Sequence, residues 1–207
     1  PLIDATIYST NEVRIDADTL GLVNAKIKYN TEKNVLTIDK GTQILHGVDK
    51  ATVDGFVNLS DSTIQLNTVL ANTSIAFANR FISDFVKDMT GRASGNVNIR
   101  GAINNPRVSG NMVVNDASLK VIYLGTRYSM NDVKLNFDNE RINIEDFYLH
   151  DERKGNYTAL VKGYIQHKNF DDIQLNLNVS SSNLLCLNTI EWDNDLFYGF
   201  VPAQMTA

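Results

Sequence analysis

Apolar and polar residues alternate with period two along most of the chain. Val13, Ile15 and Ala17 alternate with Arg14, Asp16 and Asp18, and Val53, Gly55, Val57 and Leu59 follow the same rule. Val133, Leu135 and Phe137 are separated by Lys134 and Asn136, Ile142 and Ile144 flank Asn143, and Ile173, Leu175, Leu177 and Val179 are separated by Gln174, Asn176 and Asn178. Such alternation marks strands with one apolar and one polar face. Turn signals at Asn30 to Asn34, Asn104-Asn105-Pro106, Asp138-Asn139-Glu140 and Lys154-Gly155-Asn156 punctuate it. The pattern predicts an all-β fold of roughly a dozen strands, more than a flat open sheet carries without curling or splitting.

One segment departs from the rule. Phe77, Phe81, Ile82, Phe85, Val86 and Met89 are spaced as the apolar face of a helix, with Asn79, Arg80, Ser83, Asp84, Lys87 and Asp88 on the other face. Thr73 or Ser74 supplies an N-cap and Gly91 a stop. The expectation is one short amphipathic helix near 75–90, about three turns long, capping the core. Its polar face is mixed in charge, which disfavours a membrane-surface helix.

Composition narrows the function classes. The 207 residues carry a net charge of -5, without the basic excess of a nucleic-acid binder. A single cysteine, Cys186, excludes a disulfide framework within the chain. The 25 asparagines favour turns, so short repeated elements are expected. No apolar run reaches the length of a membrane span. Both ends of the chain read as strand, so it is expected to be a piece of a longer protein.

Catalytic patterns are weak. His46, His150 and His167 lack metal-ligand spacing. His150-Asp151-Glu152 runs into Arg153-Lys154-Gly155 and reads as a solvated turn. Glu145-Asp146 and Asp171-Asp172 are adjacent pairs, which point to opposite faces of a strand and make no carboxylate dyad. No glycine-rich phosphate loop is present. The reading is a non-enzyme without cofactor or metal. What remains is the apolar face itself, which a closed sandwich or barrel buries and an open trough displays; the alternation fits both.

Glycine-flanked strands recur loosely, at Asp54 to Leu59, Gly95 to Gly101 and Gly155 to Gly163. The stretch Ala93 to Gly101, the Asn104-Asn105-Pro106 turn, Val108-Ser109-Gly110 and the strand through Ala117-Ser118-Leu119-Lys120-Val121 resemble the C-terminal domain of TamB-type proteins. Leu185 to Gly199 is similar to the versions found in Bacteroidetes-like bacteria. The resemblance covers most of residues 50–207. It implies a single elongated β domain over 1–207, a taco or half-pipe sheet with an apolar concave face. It also implies a periplasmic protein, anchored in the inner membrane by an N-terminal helix outside these residues and paired with an outer-membrane barrel of the Omp85 class. The implied function is passage of phospholipid between the two membranes within the translocation and assembly module.

On that reading the groove is lined by Val97 and Ile99, by Val133, Leu135 and Phe137, by Ile142 and Ile144, by Val161, and by Ile173, Leu175, Leu177 and Val179, with phospholipid acyl chains as the ligand. A dozen strands about 4.8 Å apart make a trough on the order of 50–60 Å long. A five-residue strand spans about 16 Å, close to the roughly 15 Å of one leaflet's acyl layer. The alternatives are a scaffold or chaperone that receives strands of client outer-membrane proteins, and a closed structural β-sandwich.

Overall fold

The structure, a computed structural model, describes residues 1–15, 18–46, 49–76, 79–154, 157–168, 171–192 and 198–205. Of the residues singled out above, Asp16, Ala17, Phe77, Gly155 and Asn156 lie outside them. The described residues form β1 (Leu2–Tyr8), β2 (Val13–Ile15), β3 (Asp18–Asn30), β4 (Val35–His46), β5 (Asp49–Asn58), β6 (Thr63–Ser74), α1 (Asn79–Ile82), β7 (Val86–Ala102), β8 (Asn105–Val121), β9 (Thr126–Met130), β10 (Val133–Asp138), β11 (Arg141–Asp151), β12 (Thr158–Lys168), β13 (Asp171–Thr189) and β14 (Gly199–Met205). They make one sheet in the order β1-β3-β4-β5-β6-β7-β8-β10-β11-β12-β13-β14, with β2 on β3 and β9 joining β8 to β11. Nearly every strand pairs with its sequence neighbour, a meander.

Two expectations need correction. The three-turn helix near 75–90 is a single turn, Asn79–Ile82, and Val86 and Met89 belong to β7. Asn79 explains the outcome. Its side-chain amide accepts from the Met89 N–H at 2.9 Å and donates to the Met89 carbonyl at 3.0 Å, standing in for a strand partner. Asp88, within β7, adopts φ 54°. Of the expected apolar face, Phe81 falls in the helical turn, Ile82 is half-buried, Phe85 is exposed and Met89 is buried.

The strands are also longer than the asparagine content implied, reaching 17 residues in β7 and β8 and 19 in β13. Asparagine is accommodated in two ways. Asn34 and Asn72 take the left-handed conformation at φ 54° and 56°, while Asn143 and Asn176 sit on the solvent face.

The chain divides into two compact units: 1–73 with 93–112 and 136–140, and 74–92 with 113–135 and 141–207. In the first, the strand registers stack apolar rows on one face. One row is Ile3, Tyr29, Leu36, Val57 and Ile64; the next is Ala5, Ile27, Ile38, Gly55 and Leu66; a third is Val23, Ile44, Ala51 and Leu70. The opposite face carries polar pairs such as Lys28–Asp39 at 2.5 Å and Asn67–Asp54 at 3.0 Å.

In the second unit the rows are Ile142, Ile165 and Leu175; Ile144, Gly163 and Leu177; Phe147, Val161 and Val179; and Leu149, Ala159 and Ser181. Met130 and Ala117 extend the last row through β9 to β8. Its other face is polar, with Arg141 stacked 4.6 Å from the centre of the Tyr164 ring.

Each unit has a crease built the same way. Gly55 and Gly163 both lie on the apolar face at φ 142°, and each pairs with the residue at which the neighbouring strand bulges, Ile38 of β4 and Ile144 of β11. A Cβ at either glycine would overlap the carbonyl oxygen of Gln65 or Asn176 on the next strand. Such bulges with glycine bend a sheet locally. In the second unit β8 and the β9–β10 strand bend together. Asp116 and Asp132 adopt φ 50° and 53°, the Asp116 N–H donates to Asn131 Oδ1 at 2.9 Å, and the Asp132 N–H donates to Asn115 Oδ1 at 3.2 Å.

Candidate functional site

The candidate site of each unit is its apolar face, and the two faces are covered to different extents. In the first unit no large apolar side chain described on β1–β6 is buried; Ala51 is the sole buried hydrophobic there. Ile27, Ile38, Val57, Ile64 and Leu66 are all half-buried.

In the second unit the apolar face is sealed on one side of the crease. Tyr128, Ala159, Val161 and Leu184 are buried, with Leu119, Val121, Leu124, Met130, Phe147, Leu149, Val179 and Cys186 packed on them. Tyr128 and Asp151 stand opposite each other in the β9–β11 register. The Tyr128 hydroxyl donates to the Leu185 carbonyl at 2.7 Å, and Asp151 Oδ2 accepts from the Leu185 N–H at 2.7 Å. Leu185 is fully buried, and its register partner on β14 is Pro202, which has no N–H to give its carbonyl. The Asn188 N–H closes onto the Leu124 carbonyl at 2.8 Å.

Arg153 completes the closure. It donates from Nε and Nη2 to the Asp151 carboxylate, with Nη2 2.6 Å from Oδ2, reaches the Asn183 carbonyl at 2.5 Å, and lies 4.0 Å from the centre of the Tyr157 ring. The Asp151 side chain has no exposed surface. Burial pushes its carboxyl upward, but the hydrogen bonds from Arg153 and the Leu185 N–H outweigh this and hold it below the ordinary range. Burial pushes the Tyr128 phenol up to about 12 and raises the Cys186 thiol. The sequence presented Asp151 as part of a solvated turn; its role in closure depends on β9 and β13, which are remote in sequence.

Across the crease the same face is uncovered. Ile142, Ile144 and Ile165 are half-buried, and Leu175 and Leu177 are 58% and 39% exposed. The registers bring six of the twelve expected lining residues, Ile142, Ile144, Val161, Leu175, Leu177 and Val179, onto this one face, and alternation adds Ile173. Val161 and Val179 lie on the sealed side, and Val133 is buried. Leu135 shares the face of Val133 on β10 by alternation and is half-buried. Val97, Ile99 and Phe137 belong to the first unit and are half-buried. Sequence reasoning missed most of the first unit's rows. Their signal was present in Val23-Ala25-Ile27-Tyr29 and Ile64-Leu66, both alternating.

Among the described residues no group of three or more His, Cys, Asp or Glu is arranged to hold a metal, and no helix is long and apolar enough to cross a membrane. The family model of the TamB C-terminal domain matches residues 45–152. Comparison with curated proteins and with solved structures returns no match.

Proposed function

The chain belongs to the TamB C-terminal domain family, and on that premise we propose that its uncovered apolar faces carry phospholipid acyl chains, as part of a hydrophobic conduit between the inner and outer membranes. Proteins of this family are non-enzymatic components of the translocation and assembly module of the bacterial envelope. The observation that carries the finer reading is the first unit's face, three apolar rows across β3–β6 with no large side chain buried. A face of that kind on a chain in water calls for an apolar ligand.

Each methylene moved from water onto the face contributes about 0.8 kcal/mol. The lining is Ile, Leu, Val and Ala with few hydrogen-bonding groups, so one position along it is much like the next. An acyl chain held by such a surface has no deep minimum to leave, and it slides. The charged headgroup stays at the rim. The reading places the chain in the periplasm, with an inner-membrane anchor and an Omp85-class barrel engaged through regions outside residues 1–207.

The test is extraction of the purified chain with organic solvent and mass spectrometry of the extract, before and after incubation with phospholipid vesicles. Phospholipid bound in at least equimolar amount is the expected result. A chain that stays free of phospholipid after loading overturns the conduit.

A further inference from the structure

β13 changes partner along its length. Up to Ser181 it pairs with β12, and from Ser181 to Thr189 it pairs with β14. Past Ser181 the chain rises off the sheet. Tyr128 and Asp151 are register partners, so their side chains stand on one face, the face that also carries Met130 and Leu149. Both side chains reach the backbone of Leu185, and Leu184 is buried against Tyr128, Ala159 and Val161. Residues 181–188 therefore cross above the apolar face as a strap.

The floor under the strap continues the open face. The uncovered rows Ile142–Ile165–Leu175 and Ile144–Gly163–Leu177 are followed on the same strands by the rows through Val161 and Ala159, which are buried beneath Leu184. The strap is held over this floor largely by side chains. Ser181 Oγ donates to the Thr158 carbonyl at 2.7 Å, Arg153 donates to the Asn183 carbonyl, and the Asn188 side-chain amide donates to Glu152 Oε1 at 2.7 Å. Beside it runs β14, where Phe200 and Val201 are 59% and 44% exposed. A two-stranded ribbon is marginal by itself, and water can replace polar bonds of this kind when the ribbon lifts. The apolar floor has no such substitute in water. We infer that the strap is a displaceable cover, and that an acyl chain takes the place of Leu184 on Ala159 and Val161, extending the open face of this unit across the crease. The inference rests on the conduit reading and makes the strap the element that regulates the length of the groove.

The experiment follows amide hydrogen exchange residue by residue in the intact chain. The Leu185 N–H, held by Asp151, reports the strap, and amides of the β11–β12 ladder report the whole fold. Leu185 should exchange faster than the ladder and with a weaker dependence on urea, the mark of local opening. Dihexanoylphosphatidylcholine, added as monomers below micelle formation, should speed Leu185 exchange about tenfold without speeding the ladder. Tyr128→Phe removes one hold on the strap and should speed Leu185 exchange about tenfold without lipid. It should also yield more phospholipid than the parent after vesicle loading, although it is the less stable protein; a merely structural tyrosine would not raise uptake. Leu185 exchange that tracks the ladder at every urea concentration makes the strap a fixed part of the core and overturns the inference. So does phospholipid recovered from the parent while lipid leaves Leu185 exchange unchanged, an outcome that keeps the conduit standing. A parent chain that takes up no phospholipid overturns the conduit, and this inference with it.

Discussion

Tyr128 and Asp151 face each other across β9 and β11, and between them they satisfy both backbone polar groups of Leu185 on β13. A strand bulged on both sides of Leu184–Leu185 and facing Pro202 is thereby held without a regular ladder. Removing one hydroxyl from this arrangement leaves a buried carbonyl without a donor. Tyr128→Phe should therefore destabilise the chain by roughly 1–3 kcal/mol in urea titration. Asp151→Ala removes the acceptor of the Leu185 N–H and the carboxylate partner of Arg153, and it should cost more than Tyr128→Phe. If Tyr128→Phe unfolds at the parent midpoint, the closure is not held in this way.

The same pair sets a pH window. The Tyr128 phenol is raised to about 12 by burial, so its contribution is complete below the ordinary tyrosine value near 10 and is lost as pH rises through 12. The Asp151 carboxyl is lowered, so its contribution is complete above the ordinary aspartate value near 4 and is lost as pH falls through its depressed value. Stability measured by denaturant midpoint should be insensitive to these two groups from about pH 5 to 9. In Tyr128→Phe the alkaline decline should be shallower than in the parent. Equal slopes above pH 10 would contradict the assignment.

Gly163 and Gly55 test the crease. A side chain at either position meets a carbonyl of the next strand in a left-handed backbone conformation. Gly163→Val and Gly55→Val should each destabilise by more than about 1 kcal/mol. Glycine at Gly199, with φ 135° and open space around its missing Cβ, is the comparison. Gly199→Ala pays backbone strain without a clash, so it should cost less than either valine. Comparable losses at all three would mean that conformation, not close approach, governs these sites.

Sequence and structure agree where a single strand decides the matter. Alternation is a local property, so Ile142, Ile144, Leu175 and Leu177 were legible as one-faced positions, and the all-β class followed from their number. Two kinds of feature were not legible. Helical spacing of apolar residues can occur within a strand: Val86 and Met89 fit a helical face yet belong to β7. Registers are non-local: the Tyr128–Asp151–Leu185 closure joins three segments separated by 23 and 34 residues. The repeated Asn-Asp at Asn115-Asp116 and Asn131-Asp132 was visible in principle. Only the pairing of the two strands turns it into a reciprocal hydrogen-bonded bend.

Charge placed on the uncovered faces tests the conduit. Leu175 is 58% exposed on the open side of the crease, and Leu135 is half-buried on β10. A charge that reaches water costs the fold little, whereas an unpaired charge in a sealed core costs several kcal/mol. Leu175→Asp should thus leave the denaturation midpoint within about 0.5 kcal/mol of the parent, and Leu135→Arg should lower it moderately. Val161→Asp, inside the sealed cluster, should abolish folding. Acyl chains crossing residue 175 would have to desolvate the new carboxylate, so phospholipid recovered from folded Leu175→Asp should fall several-fold. In the full-length protein, delivery of phospholipid to the outer membrane should fall while protein abundance holds. Normal delivery at normal abundance would remove the conduit reading. Unfolding of Leu175→Asp would show instead that this face is covered in solution, and the closed-sandwich alternative would then account for the apolar rows.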